Sequence, residues 1–150
     1  MTAVKELHEV MVTEAQLAEG LAVVLGQQQE AIVSGRVDVL DQLVEESEEL
    51  IQPITILEHE RVRLSGQIIS ERTGNGPGAK ATSRDLLGYL DGDDVVLMKG
   101  VLMRLRTASH EIIRINNLNR PLLEHSQAFV TQTLRAATDD YKRNLIDKKM

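Results

Sequence analysis

Apolar residues recur along this chain at alternating three- and four-residue steps, the spacing that lines one face of an α-helix. From about Thr2 to Val33 the stripe consists of Leu7, Met11, Leu17, Leu21, Val24, Leu25 and Ile32. Ser34-Gly35 ends it, because glycine readily takes the left-handed conformation that closes helices, and Asp38 is placed to cap the next one. So short a turn makes the second helix run back antiparallel to the first. That second segment carries the most regular pattern in the chain: Leu40, Leu43, Ser47, Leu50, Ile54, Leu57, Arg61, Leu64 and Ile68. A seam of this kind predicts coiled-coil-like packing against neighbouring helices. Pro53 lies inside it, but the periodicity continues in phase, so the expectation is a kink and not a break. Arg61 on the seam is expected either to stack at the end of its side chain or to pair with an acid of the first helix.

Residues 73–83 read TGNGPGAKATS, a small-residue, glycine-rich stretch that predicts a flexible, expendable connection. A short helix over 84–90, capped by Thr82 or Ser83, should follow before Asp91-Gly92-Asp93 interrupts it. A third long helix is predicted from Asp94 to near Thr138. Its seam is Met98, Leu102, Leu105, Ser109, Ile112, Asn116, Asn119, Leu123, Ser126, Val130, Thr133 and Ala137. At 1.5 Å per residue it would measure ~67 Å against ~50 Å for each of the others, so its end should project beyond them. The predicted fold is therefore all-α: one domain over residues 1–150, an antiparallel bundle of three long heptad-patterned helices with one short intervening helix. A frayed tail is expected at about 139–150.

Composition narrows what such a bundle can do. Hydrophobic residues make up 42% of the chain but aromatics only 2%, so the core must be aliphatic. There is no cysteine, which removes disulfides and thiolate chemistry and agrees with a reducing compartment. No apolar run reaches the ~18 residues a membrane span needs, and a cytoplasmic protein without direct membrane insertion is expected. Residues 1–72 carry 14 acids against 5 bases, whereas residues 95–150 carry 5 against 10. The bases are spread along the third helix with no basic run and no aromatic stacking platform, so an acidic hairpin beside a basic helix is expected and nucleic acid is not.

No motif points to catalysis or a cofactor. The glycine-rich loop lacks the Gly-Lys-Ser/Thr core of a phosphate loop, since Ala79 and Ala81 flank Lys80. The Asp91, Asp93, Asp94 cluster has Val95 where a calcium loop needs its third ligand; those acids suit the positive end of the next helix. His8, His59 and His110 each precede a glutamate, but none has a second histidine four residues on, and His125 is isolated. Two seam positions do stand out: Asn116 and Asn119, with Pro121 just beyond. An asparagine in a seam either fixes helix alignment or offers hydrogen bonds to a partner helix. A second candidate surface is the stripe Val130, Leu134, Ala137, Tyr141 and Leu145, with Phe129 as an aromatic anchor. It continues past the point where the first two helices should end, and is flanked by Lys142, Arg143, Lys148 and Lys149.

The chain resembles the FlgN family of flagellar export chaperones. The likeness rests on Gln27-Gln28-Gln29-Glu30-Ala31-Ile32 followed by Gly35 and Leu40; on the acidic 45–50 stretch; on Glu58-x-x-Arg61; and above all on Asn116-x-x-Asn119-x-x-Leu122-Leu123-x-x-Ser126. The glycine-rich loop and the last dozen residues fall outside it. The resemblance implies a cytoplasmic chaperone that holds the C-terminal helical segments of hook-associated (hook–filament junction) proteins and delivers them to the flagellar type III export apparatus. The competing expectation is a coiled-coil protein that assembles with itself, as a homo-oligomer, through the same seams.

Overall fold

The structure is a computed structural model. It describes the backbone of residues 2–74 and 83–149, and the side chains of 2–74 and 85–124. Four helices follow in order: α1 Ala3–Val33, α2 Val37–Thr73, α3 Ser83–Leu87 and α4 Gly92–Lys149, with no strand among the described residues. No described helix is long and apolar enough to cross a membrane.

The ends of α1 follow from local chemistry. Thr2 precedes its first turn in an extended conformation and its hydroxyl accepts from the Lys5 amide, satisfying one of the orphan donors of the helix start. At the other end the Arg36 amide donates to Ala31 O and the Gly35 amide to Ile32 O, the paired bonds of a Schellman closure. Gly35 has φ +70, the left-handed region that glycine enters without the Cβ penalty. This turn is so tight that α2 begins at Val37, and Asp38 lies in its first turn instead of capping it; Arg36 occupies the cap position without a side-chain bond. Asp38 still complements the positive end of the helix dipole there. Gly74, φ +72, closes α2 through its amide bond to Ser70 O. Both internal prolines, Pro53 and Pro121, sit in helices that continue past them.

Residues 75–82 lie outside the described residues, and with them most of the expected loop. α3 is shorter than predicted, giving way after Leu87 to tight turns in which Gly88 and Tyr89 donate to Asp85 O and Leu86 O. α4 starts two residues earlier than expected, with Asp93 and Asp94 in its first turn, and continues to Lys149 instead of ending near Thr138.

α1 is the central helix. α2 packs antiparallel along one flank of it, with Glu14 opposite Arg61 and Gln28 opposite Leu43; α4 packs parallel along the other, with Glu19 opposite Arg104 and Leu25 opposite Asn119. Nowhere among the described residues do α2 and α4 approach within 8 Å, Cα to Cα. The core therefore lies as two clusters along α1. One joins Leu7, Met11 and Ala15 to Leu64, Ile68 and Ile69 of α2, Leu86 of α3, and Met98 and Val101 of α4. The other joins Leu21 and Leu25 to Ile115, with Leu50, Ile54 and Ile112 packed against it. Each fully buried Leu, Ile or Met contributes about 1.5–3 kcal/mol of transfer free energy to holding the helices together.

Packing on one neighbour instead of two explains where the predicted seams shift. All nine α2 seam residues are buried or half-buried. On α4 the buried line is Met98, Val101, Ala108, Ile115 and Asn119, so Ser109 and Asn116, predicted to be inside, are exposed. On α1 the buried line runs through Glu14, Ala18, Leu25 and Gln28, and Leu17 and Val24 are only half-buried. Of the residues expected at the centre of the seams, Leu43 is buried, while Leu50, Ile54, Leu57, Leu105, Ile112 and Leu123 are half-buried.

Candidate functional site

Of the five polar or charged residues buried among the described ones, Glu14, Gln28 and Asn119 each reach from one helix to another. Gln28 of α1 donates to Leu43 O of α2 at 3.0 Å, and Asn119 of α4 donates to Leu25 O of α1 at 2.9 Å. Glu14 of α1 meets Arg61 of α2, Oε2 to Nε, at 3.2 Å, with side-chain exposures of 7% and 24%. This last pair is close but misaligned, and neither of those two atoms makes a hydrogen bond. Burial pushes the Glu14 carboxyl above the usual carboxylate range, Arg61 pulls it down, and Glu58, which also faces Arg61, pushes it up. Arg61 thus takes the second of the two roles its seam position allowed, pairing with an acid of the first helix.

The Glu14–Arg61 level is also where the structure opens. α1 presents Ala15 and Ala18 here, too small to fill the space between its neighbours, and α2 and α4 stand apart on either side. The result is a groove of about 680 Å³. Ala18 and Leu21 form its floor, Ile51, Ile54 and Glu58 its α2 wall, and Lys99, Leu102 and Arg106 part of its α4 wall. The volume is that of a ligand cleft, enough for a row of apolar side chains. Sequence reasoning missed this groove. Its one visible signal is Ile51, an apolar residue 48% exposed beside the α2 seam, which widens that face from a stripe to a wall.

The sequence-predicted site residues fall in different places. Asn119 is buried at 1% exposure, whereas Asn116 is on the solvent side of α4, so the two do not form one polar site. Leu122 and Leu123 are half-buried. Phe129, Val130, Leu134, Ala137, Tyr141 and Leu145 belong to α4, but their side chains lie outside the described residues, as do those of Lys142, Arg143, Lys148 and Lys149. What the backbone does place is the overhang. Leu25 lies eight residues from the end of α1, while its partner Asn119 lies thirty from the end of α4. α4 therefore outruns α1 by about 22 residues, roughly 33 Å.

The described helices thus define an all-α bundle with a groove open beside α1 and with α4 extending past the end of α1. The family model for FlgN protein matches residues 1–145, nearly the whole chain. The chain belongs to the FlgN family, and its role is that of a flagellar export chaperone, which binds flagellar proteins. No curated protein and no solved structure matches it.

Proposed function

We propose that this protein works in the cytoplasm, holds the C-terminal helical segments of hook-associated (hook–filament junction) proteins, and delivers them to the flagellar type III export apparatus. The client's seat is the stretch of α4 that carries Phe129, Val130, Leu134, Ala137, Tyr141 and Leu145. One observation carries this reading: α4 continues roughly 33 Å past the end of α1. In that stretch a periodic apolar stripe has no partner from the helix that supports the rest of α4. A client kept unfolded for export exposes helical stripes that would otherwise associate with one another, and an amphipathic helix can cover them reversibly.

Calorimetry tests the seat. A junction-protein C-terminal peptide is titrated into the parent chain, into a chain lacking residues 139–150, and into a Leu134→Ala, Tyr141→Ala variant. Loss of an aromatic and an aliphatic anchor should weaken binding by about tenfold or more. Unchanged affinity in both altered chains, with helicity retained by circular dichroism, refutes this placement.

A further inference from the structure

The groove between α2 and α4 has a polar pattern that the tail does not explain. Lys99 and Arg106 on its α4 wall stand one heptad apart, roughly 10 Å along the helix. Neither has a carboxylate within ion-pair distance among the described residues. Every other lysine or arginine of α4 with a described side chain has one: Arg104 with Glu19, Arg114 with Glu111, and Arg120 with Glu124. Across the groove from the two free cations stand Ile51, Ile54 and Glu58, the last of them facing Arg61, and Ala18 and Leu21 lie on the floor. At one end the buried atoms Glu14 Oε2 and Arg61 Nε both lack a hydrogen bond.

We infer that this groove takes one amphipathic helix of a partner polypeptide, apolar stripe inward, with acidic residues seven positions apart on the flank that meets Lys99 and Arg106. The inference rests on the reading of this protein as a binder of helical segments, but it gives that binder a second seat separate from the end of α4. The α4 wall from Lys99 to Ile112 is about 20 Å long, three to four turns of a partner helix. A helix laid in a groove is read through anchors at i, i+3, i+4 and i+7, and here the i, i+7 repeat of the cations sets a matching repeat of acids. Arg61, the cation of the α2 side, is already paired with Glu14 and Glu58, so the two cations left for a partner both lie on the α4 wall, which suits a helix with one acidic flank and not a polyphosphate chain. Nor does this chain offer the occupant from its own described helices: the apolar stripe of α2, its acidic helix, is already spent on α1.

The probe is a designed helical peptide of about eighteen residues with a leucine stripe and two glutamates seven apart on one flank; its control has lysines at those two positions. Binding to the full chain is followed by fluorescence anisotropy at low salt. The glutamate peptide should bind one to one and about tenfold or more tighter than the lysine peptide, and Lys99→Glu with Arg106→Glu should reverse that order. Ile51→Glu, at a half-exposed wall position that the fold does not need, should weaken both peptides by about tenfold or more. Equal binding of the two peptides, or full affinity in the Ile51→Glu chain, overturns the inference. So does glutamate-peptide binding that depends on Leu134 and Tyr141, because the seat would then be the end of α4. Sedimentation showing a dimer that Ile51→Glu dissociates would put a second copy in the groove and overturn it as well. A junction-protein peptide that ignores Leu134 and Tyr141, while the glutamate peptide behaves as expected, refutes the proposed client seat alone.

Discussion

Asn119 gives the sharpest test of how α4 is held. Its side chain is 1% exposed, its amide nitrogen donates to Leu25 O at 2.9 Å, and its Oδ1 has no partner. Leu25 O is a mid-helix carbonyl already engaged in its own helix's ladder, so it loses little if the donor goes. Asn119→Leu therefore gives up one neutral hydrogen bond, about 1 kcal/mol, and removes a buried orphan acceptor that costs ~1–3 kcal/mol. It also adds apolar surface in a site closed to water. The net expectation is a gain of about 2 kcal/mol, or ~4–8 °C in Tm for a chain of this length. Asn119→Ala breaks the same bond and sheds the same orphan oxygen but leaves a void, so it should be about 2 kcal/mol or more less stable than Asn119→Leu. Thermal and urea denaturation of the two variants beside the parent chain decide the matter. If Asn119→Leu is destabilised as much as Asn119→Ala, the Asn119 bond contributes more than its orphan oxygen costs, and the reasoning fails. A stabilised Asn119→Leu also implies that the asparagine is kept for alignment, since a single buried hydrogen bond fixes how far α4 can slide along α1.

Two further outcomes follow from the core and from the groove. Leu64→Ala, at a position 1% exposed where α2 meets α1, should cost about 2–5 kcal/mol in urea denaturation, and a loss under about 1 kcal/mol would mean that this end of the core collapses freely around the void. For Glu14, burial raises the native pKa above 4.5, so the folded state binds that proton more tightly than the unfolded one. The group then lowers stability progressively as pH climbs from the ordinary carboxylate range through the native pKa, and its full cost is felt above that. Glu14→Gln should accordingly improve stability more at about pH 8 than at about pH 4, and a variant less stable than the parent at the higher pH would show that Arg61 outweighs burial.

The helices themselves were legible because apolar spacing is a local property. α2 shows this best: its seam, Arg61 included, faces inward at every predicted position. What periodicity does not encode is how many neighbours a helix has. Periodicity places the α4 seam at Leu102, Ser109, Asn116 and Leu123, whereas α1, its one long neighbour among the described residues, takes the adjacent line of Val101, Ala108 and Ile115. Those lines lie side by side on the helix surface, and both are partly apolar. Only the missing approach of α2 to α4 decides between them, and that is a fact about residues far apart in sequence. Glu14 and Gln28 escaped for a different reason: a search for apolar residues passes over polar ones, even when they complete the repeat Leu7, Met11, Glu14, Ala18, Leu21, Leu25, Gln28. The groove combines both blind spots, for it opens where a polar pair and a small residue interrupt the seam between two helices whose described backbones stay more than 8 Å apart, Cα to Cα.

The central place of α1 also sets an order of assembly. α1 and α2 are joined by three residues, so their hairpin closes at little entropic cost and its core pairs are near in sequence. α4 must find α1 across a much longer path: Arg104 meets Glu19 over 85 positions, and Asn119 meets Leu25 over 94. Long-range docking of this kind comes late in folding and reverses first. Among the described residues the α4 backbone approaches α1 and α3 but not α2, so a loosening of α4 leaves the short α1–α2 connection and its backbone pairing in place, and the helix that carries the overhang has the weaker hold on the molecule.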